Sequence, residues 1–251
     1  MDESLGLSAQ EVETMRSVED ELWWYRTLRA EVLAAIKPTR ANFDLLDAGC
    51  GSGGMLSRIH EQFPQATLTG LDFSERALEL TRGRATGATL LQGRVDQLPF
   101  GEAQFDCVLS LDVLVVRGVD DRAAMAEMFR VLRPGGQLIL NLPAFDFLRG
   151  RHDAAVNNIR RETKTRVGAL LRAAGFRLER WTYWNMSLTP AIAAARWLSR
   201  GGINASELRS DLKPVWPPLN AALFGLTSLE FALSRFVPLP FGSSLFAVAR
   251  K

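Results

Sequence analysis

Three groups of residues in this 251-residue chain are capable of chemistry. Asp47 closes a short apolar run of Phe43, Leu45 and Leu46, and Gly49, Cys50, Gly51, Gly53 and Gly54 follow at once. Asp72 ends a second strand-like run, residues 67–71. His152 stands next to Asp153, a few residues before Arg160 and Arg161. An apolar strand that breaks into glycines and re-forms as a helix makes a tight turn with exposed amides. Positive φ costs little there, and a ligand can approach the backbone closely. The helix that follows has Met55, Leu56, Ile59 and Phe63 on one face. Its unpaired N–H groups and positive dipole end point at that ligand. An acidic side chain placed as Asp72 is suits the two hydroxyls of a ribose. A histidine beside an aspartate can be held in the tautomer that accepts a proton from a hydroxyl or amine.

Glycine spacing alone admits two cofactors. Gly49, Gly51 and Gly54 fit the dinucleotide pattern G-x-G-x-x-G. Asp47, Gly49, Gly51 and Gly53 fit D-x-G-x-G-x-G, which resembles the first motif of class I S-adenosylmethionine-dependent methyltransferases. Both cofactors contain adenosine, so Asp72 does not choose between them; the downstream chain does. Residues 92–100 resemble the third element of that family, with Arg94 where an Asp commonly meets the adenine amino group. Residues 105–111 resemble its fourth strand, whose end faces the transferred methyl group. Leu132-Arg133-Pro134-Gly135-Gly136 before an apolar strand is frequent in the superfamily. The resemblance covers residues 43–141.

This resemblance implies S-adenosyl-L-methionine as cofactor. Asp47, Gly49, Cys50, Gly51 and Gly53 would hold its methionine end, Asp72 with Phe73 the ribose side, and the Val95 backbone with Asp96 the adenine, while Leu111 ends the fourth strand. Trp23-Trp24-Tyr25-Arg26 looks like a bacterial subgroup in which such an element covers the cofactor. Trp24 then lies over the site, Arg29 pairs with the cofactor's carboxylate, and Tyr25 and Asp112 fall on the substrate side. Val115 and Val116 stand where relatives carry a Glu-His or His-His pair, so no base is expected from that position. His152 with Asp153 is the candidate base instead. Asp112, at the rim, also reads as a helix cap. Arg160 and Arg161, if turned to the pocket, would favour a substrate bearing carboxylate or phosphate.

Strands and helices alternate from Phe43 to Leu140, which argues for a parallel sheet covered on both faces. The expected fold is α/β: a Rossmann-like seven-stranded, mostly parallel sheet with an antiparallel last strand, an N-terminal helical cap and a helical insertion before the last strand. The chain divides as a single methyltransferase domain over 1–251, with a cap over 1–40, a cofactor-binding core over 41–184, an apolar insertion over 185–241 and a closing strand over 242–251. Trp24, Leu28, Val32 and Ile36 repeat at helical spacing until Pro38, within a cap read as helix throughout. In the insertion Leu219, Leu223 and Leu226 share one helical face, and Phe224 and Phe231 another. Such a helix is expected to be buried as a lid over the active end; a dimer contact or a membrane surface are the alternatives.

A formal net charge of +2 gives no field of the kind that marks a nucleic-acid binder. The two cysteines, Cys50 and Cys107, make neither a disulfide framework nor a zinc site, and no metal is expected. The acidic start has no apolar core and no window is long enough to span a bilayer, so a cytoplasmic protein is expected. The expected activity is methyl transfer to oxygen, nitrogen or activated carbon of a small molecule with an apolar or aromatic body. Two alternatives stand beside it: an NAD-dependent oxidoreductase, and a non-catalytic module that binds the cofactor. Oligomeric state is not legible.

Overall fold

Seven strands form one sheet in the computed structural model, which describes residues 8–84, 86–199 and 212–251. β1 (Asp44–Ala48), β2 (Thr67–Asp72), β3 (Thr89–Gln92), β4 (Phe105–Leu111) and β5 (Leu132–Pro143) run parallel. β7 (Ser244–Arg250) runs antiparallel between β5 and β6 (Arg177–Trp184), giving the order β3-β2-β1-β4-β5-β7-β6. This is the mostly parallel sheet with an antiparallel closing strand that the sequence predicts. The chain turns back between β1 and β4, and a crevice opens beyond the carboxyl ends of the strands at such a reversal.

Alternate strand residues serve two cores because both faces are covered. Leu46, Val108, Leu138 and Leu140 face α5 (Asp121–Val131) and α7 (Lys164–Ala174) through Met125, Met128, Val167 and Leu171. Leu45, Leu109, Ile139 and Phe246 face the other layer. That layer holds α2 (Trp23–Ala35), α3 (Gly54–Gln62), α4 (Glu75–Arg82) and α9 (Pro217–Ser234). Ser74 caps α4 as expected, accepting from Ala77 N at 3.3 Å.

Three expectations are corrected here. The N-terminal cap is two helices, α1 (Ala9–Val18) and α2, and the break at residues 19–22 carries Glu19 and Asp20 toward the glycine turn. Asp112 caps no helix; Asp120 caps α5, accepting from the Arg122 and Ala123 amides at 3.0 and 3.1 Å. α9 is turned the opposite way from its leucine pattern. Thr227, Glu230, Phe231 and Ser234 are its buried face, whereas Leu219, Leu226, Leu229 and Leu233 are exposed. Its polar residues are matched from distant segments. Thr227 meets Thr27 of α2 at 2.7 Å, Glu230 accepts from the Met186 and Ser187 amides, and Ser234 accepts from Arg180. α9 thus packs beside α2 and against β6. α8 (Thr189–Ser199), not α9, reaches the crevice, through Ile192 and Arg196. The middle of the insertion, 200–211, lies outside the described residues.

Candidate active site

The strands bordering the crevice leave the sheet by one device. Asp112 directly follows β4 with φ 63°, Asn185 directly follows β6 with φ 64°, and Phe145 follows β5 two residues on with φ 62°. Left-handed backbone is costly for side-chain-bearing residues, least so for Asp and Asn. Asp112 is fixed there by its amide, which donates to Asn141 O at 2.7 Å. Asn141 Nδ2 donates to both Asp112 carboxylate oxygens at 3.1 and 3.0 Å. Trp184 Nε1 donates to Asn141 Oδ1 at 2.9 Å, and the Trp184 ring lies between Trp24 and Phe231, at 5.5 and 4.9 Å.

These ends enclose a cavity of about 440 Å³ together with the glycine turn. The Gly49 and Cys50 amides donate to Leu71 O at 2.7 and 3.0 Å, tying the turn to the end of β2. Gly49 has φ 97°, and a Cβ on it would collide with the Val113 side chain. Gly51, with φ 55°, has open space where a Cβ would stand. Gly53 works elsewhere: a Cβ there would meet Thr81 of α4, so it packs that helix and does not line the cavity. Gly54 lines it instead.

Asp72 accepts from the Gly51 amide at 2.8 Å and the Ser74 amide at 2.9 Å. Burial pushes its carboxyl above the usual range, against the pull of those amides. Each oxygen keeps lone pairs for a diol. Asp47 is buried, its Oδ1 has no hydrogen-bond partner, and burial with the Asp72 charge pushes it up to about 7. An orphaned carboxylate oxygen at the turn is matched to an ammonium, and the N-terminal amides of α3, which begins at Gly54, to a carboxylate. The two ends of an amino-acid tail therefore fit these residues, and Asp72 fits the sugar.

Other expected residues fall as follows. Trp24, Tyr25, Cys50, Phe73, Val95 and Leu111 line the cavity. Tyr25 sets its ring edge to Trp24 at 5.0 Å. Arg29 also lines it, over Gly54, but donates to Glu19 at 3.0 Å and Asp20 at 3.2 Å. Glu19 further accepts from Ser52 and Arg84, closing a buried network on the turn. Asp96 is occupied: Arg94 donates to its two oxygens at 2.9 and 2.6 Å and the Asp120 amide donates at 3.0 Å. The adenine end is therefore left to the Val95 segment and Phe73.

The expected histidine–aspartate pair does not form. Asp153 accepts from Arg161 at 2.9 and 3.0 Å and from the Gly150 amide at 2.8 Å, while His152 Nδ1 is buried without a partner. Neighbours on the short helix α6 (Arg151–Ala155) point apart. Burial, the larger effect, pulls the His152 imidazole below its usual range, opposed by the charge of Asp153. Arg160 is outside the cavity, donating to Asp121, Glu162 and Leu114 O, because α5 and the Glu162 loop lie on the other side of its strand end. Asp112 lines the cavity, and burial pushes it up to about 7. Glu19, Ser52, Asn158 and Asn185 also line it, unforeseen from sequence. Only Glu19-Asp20 carried a signal, as an acidic pair before the Trp pair.

Residues 45–136 match the family model of a methyltransferase domain. Over 170 residues the chain is 31% identical to a Mycolicibacterium smegmatis protein named "Probable S-adenosylmethionine-dependent methyltransferase", covering 66% of this chain and 64% of that one. It is 37% identical over 123 residues to the demethylmenaquinone methyltransferase of Deinococcus radiodurans, covering 47% and 48%. The chain thus spans about half to just under two thirds of the length of these curated relatives. A SAM-dependent methyltransferase structure from Thermotoga maritima shares the fold, with a TM-score of 0.59 at 18% identity over 96% of this chain and 95% of that one.

Proposed function

We propose that this chain is a class I S-adenosylmethionine-dependent methyltransferase and transfers a methyl group to oxygen, nitrogen or activated carbon of a small molecule with an apolar or aromatic body. The observation that carries the reading is the orphaned Asp47 carboxylate oxygen set in the glycine cradle, with Asp72 one strand over. The placing of β7 between β5 and β6, away from the dinucleotide-fold order, also argues against the NAD alternative. When bound, S-adenosylmethionine supplies an electrophilic methyl group on a sulfonium.

The chain's own residues bind and orient. Asp47 would accept from the ammonium, the start of α3 beside Arg29 would take the carboxylate, and Asp72 would take the ribose hydroxyls. Phe73 and Val95 bound the adenine. Positioning of the acceptor by the cavity wall provides much of the acceleration in such a transfer. Asp112 and His152 are cavity residues able to take a proton from an acceptor oxygen or nitrogen. Asp153 is a positioning residue acting on Arg161. A quinone-type acceptor, of the sort named for the Deinococcus relative, agrees with the apolar lining.

Titration calorimetry with S-adenosylhomocysteine tests the reading. The wild-type chain should bind it, and Asp72→Ala should weaken binding at least tenfold, about 1.4 kcal/mol. Added NADH should gain no fluorescence. Absence of heat at millimolar ligand with the wild-type chain overturns the proposal.

A further inference from the structure

We infer that the part of the cavity beyond the glycine turn receives the hydroxyl or amino end of its substrate and discriminates against the carboxylate of the same skeleton. This rests on the methyltransferase reading and names the substrate class for it. The wall there carries amide oxygens that lack donors. Asn158 Oδ1, Asn185 Oδ1 and His152 Nδ1 are buried atoms without hydrogen-bond partners, on three residues that line the cavity. Asp112 receives hydrogen bonds to its carboxylate only from Asn141 among the described residues.

These groups are held in place. Asn185 Nδ2 donates to Ser243 Oγ at 2.9 Å, which leaves Oδ1 as the unmatched atom. The Asn158 amide donates to Asp153 O at 2.7 Å, and Asn158 O accepts from Arg149. Asp112 and Asn185 both sit in left-handed backbone, a strain that persists where surrounding structure imposes it and that gathers at functional sites.

Of the arginines that line the cavity, Arg161 and Arg196 are turned to Asp153. Arg161 donates to both Asp153 oxygens and to Ala144 O and Ser243 O. Arg196 faces the same Asp153 carboxylate at 3.6 Å. Two guanidiniums thus share Asp153, and Asp112 adds a second carboxylate to the same wall. An entering carboxylate meets acceptors and has no hydrogen to offer them. A hydroxyl or amine satisfies buried acceptors that otherwise go unpaired, which is the arrangement that discriminates most sharply between analogues. Leu111, Val113, Val116, Val156 and Ile192 line the remainder and suit an apolar body.

The test uses three probes of one skeleton, 1-naphthol, 1-naphthylamine and 1-naphthoate, titrated into the full chain saturated with S-adenosylhomocysteine. The naphthol or the naphthylamine should bind at least tenfold more tightly than the naphthoate. Asn158→Leu and, independently, Asn185→Gly, which tolerates the left-handed backbone, should each shrink that ratio at least threefold with S-adenosylhomocysteine binding retained. Naphthoate binding as tightly as the other two, a ratio unchanged in both variants, or no binding of any probe at millimolar concentration overturns the inference. Failure of S-adenosylhomocysteine itself to bind overturns the underlying reading instead, so the two failures are distinguishable.

Discussion

Asp47 is a buried carboxyl with one oxygen unmatched, and its proton affinity follows from that. Burial and the neighbouring Asp72 charge hold it at about 7 in the folded chain, against roughly 3.9 in an unfolded one. Between those values the folded state binds the extra proton. The contribution of Asp47 to stability therefore falls as pH rises from about 4 to about 7 and stays low above. Asp112, also pushed up to about 7, slopes the same way. Asp47→Asn should raise the ligand-free melting temperature at pH 8 and change it much less at pH 4.5, while weakening S-adenosylhomocysteine at both. Thermal unfolding at the two pH values checks this. Of the glycines, Gly49 and Gly51 were legible as site residues because their spacing after Asp47 names a turn. The role of Gly53 against Thr81 was not, since α4 lies beyond the reach of any local pattern.

The α2–α9 pair shows how an element is oriented by partners outside it. Periodicity marks two faces of α9 as apolar, one of leucines and one with Phe224 and Phe231; the buried face carries Phe231 with Thr227, Glu230 and Ser234, and Leu219 and Leu226 of the leucine face are exposed. Burying a hydroxyl or carboxylate is tolerable once it is hydrogen-bonded, and Thr27, Arg180 and two loop amides do this from far along the chain. Asn220 of α9 also accepts from the Trp23 amide at 2.9 Å, at the start of α2 where Leu22 offers no side-chain cap. Two neighbours on α9 should consequently respond in opposite ways. Phe231, 2% exposed against Trp184 and Phe246, should cost about 3–5 kcal/mol as Phe231→Ala. Leu229, 59% exposed, should stay within about 0.5 kcal/mol as Leu229→Lys. Urea unfolding of the two variants measures the contrast.

Among the described residues, no helix is long and apolar enough to cross a membrane. The two cores meet at the sheet, and the crevice lies where strand ends from both halves converge, so ligand binding reports on the whole fold. S-adenosylhomocysteine at one hundred times its dissociation constant should add about 2.7 kcal/mol of stability. That is a rise on the order of 5–10 °C for a chain of this size. A thermal shift assay should show this with S-adenosylhomocysteine and nothing comparable with NADH.

The layered α/β architecture, the order of its elements and the glycine-turn side of the crevice were legible in the sequence alone. Each depends on short-range pattern: apolar runs ended by glycine, a carboxylate at a strand end, an N-cap before a helix. The opposite side of the crevice was decided by tertiary structure. Whether Asp153 turns to His152 or Arg161, whether Arg160 reaches the cavity, and which acceptors of Asp112, Asn158 and Asn185 stay unmatched depend on pairings between distant segments. Side-chain hydrogen bonds across such separations leave no periodic trace, because their partners are chosen by packing rather than by spacing along the chain.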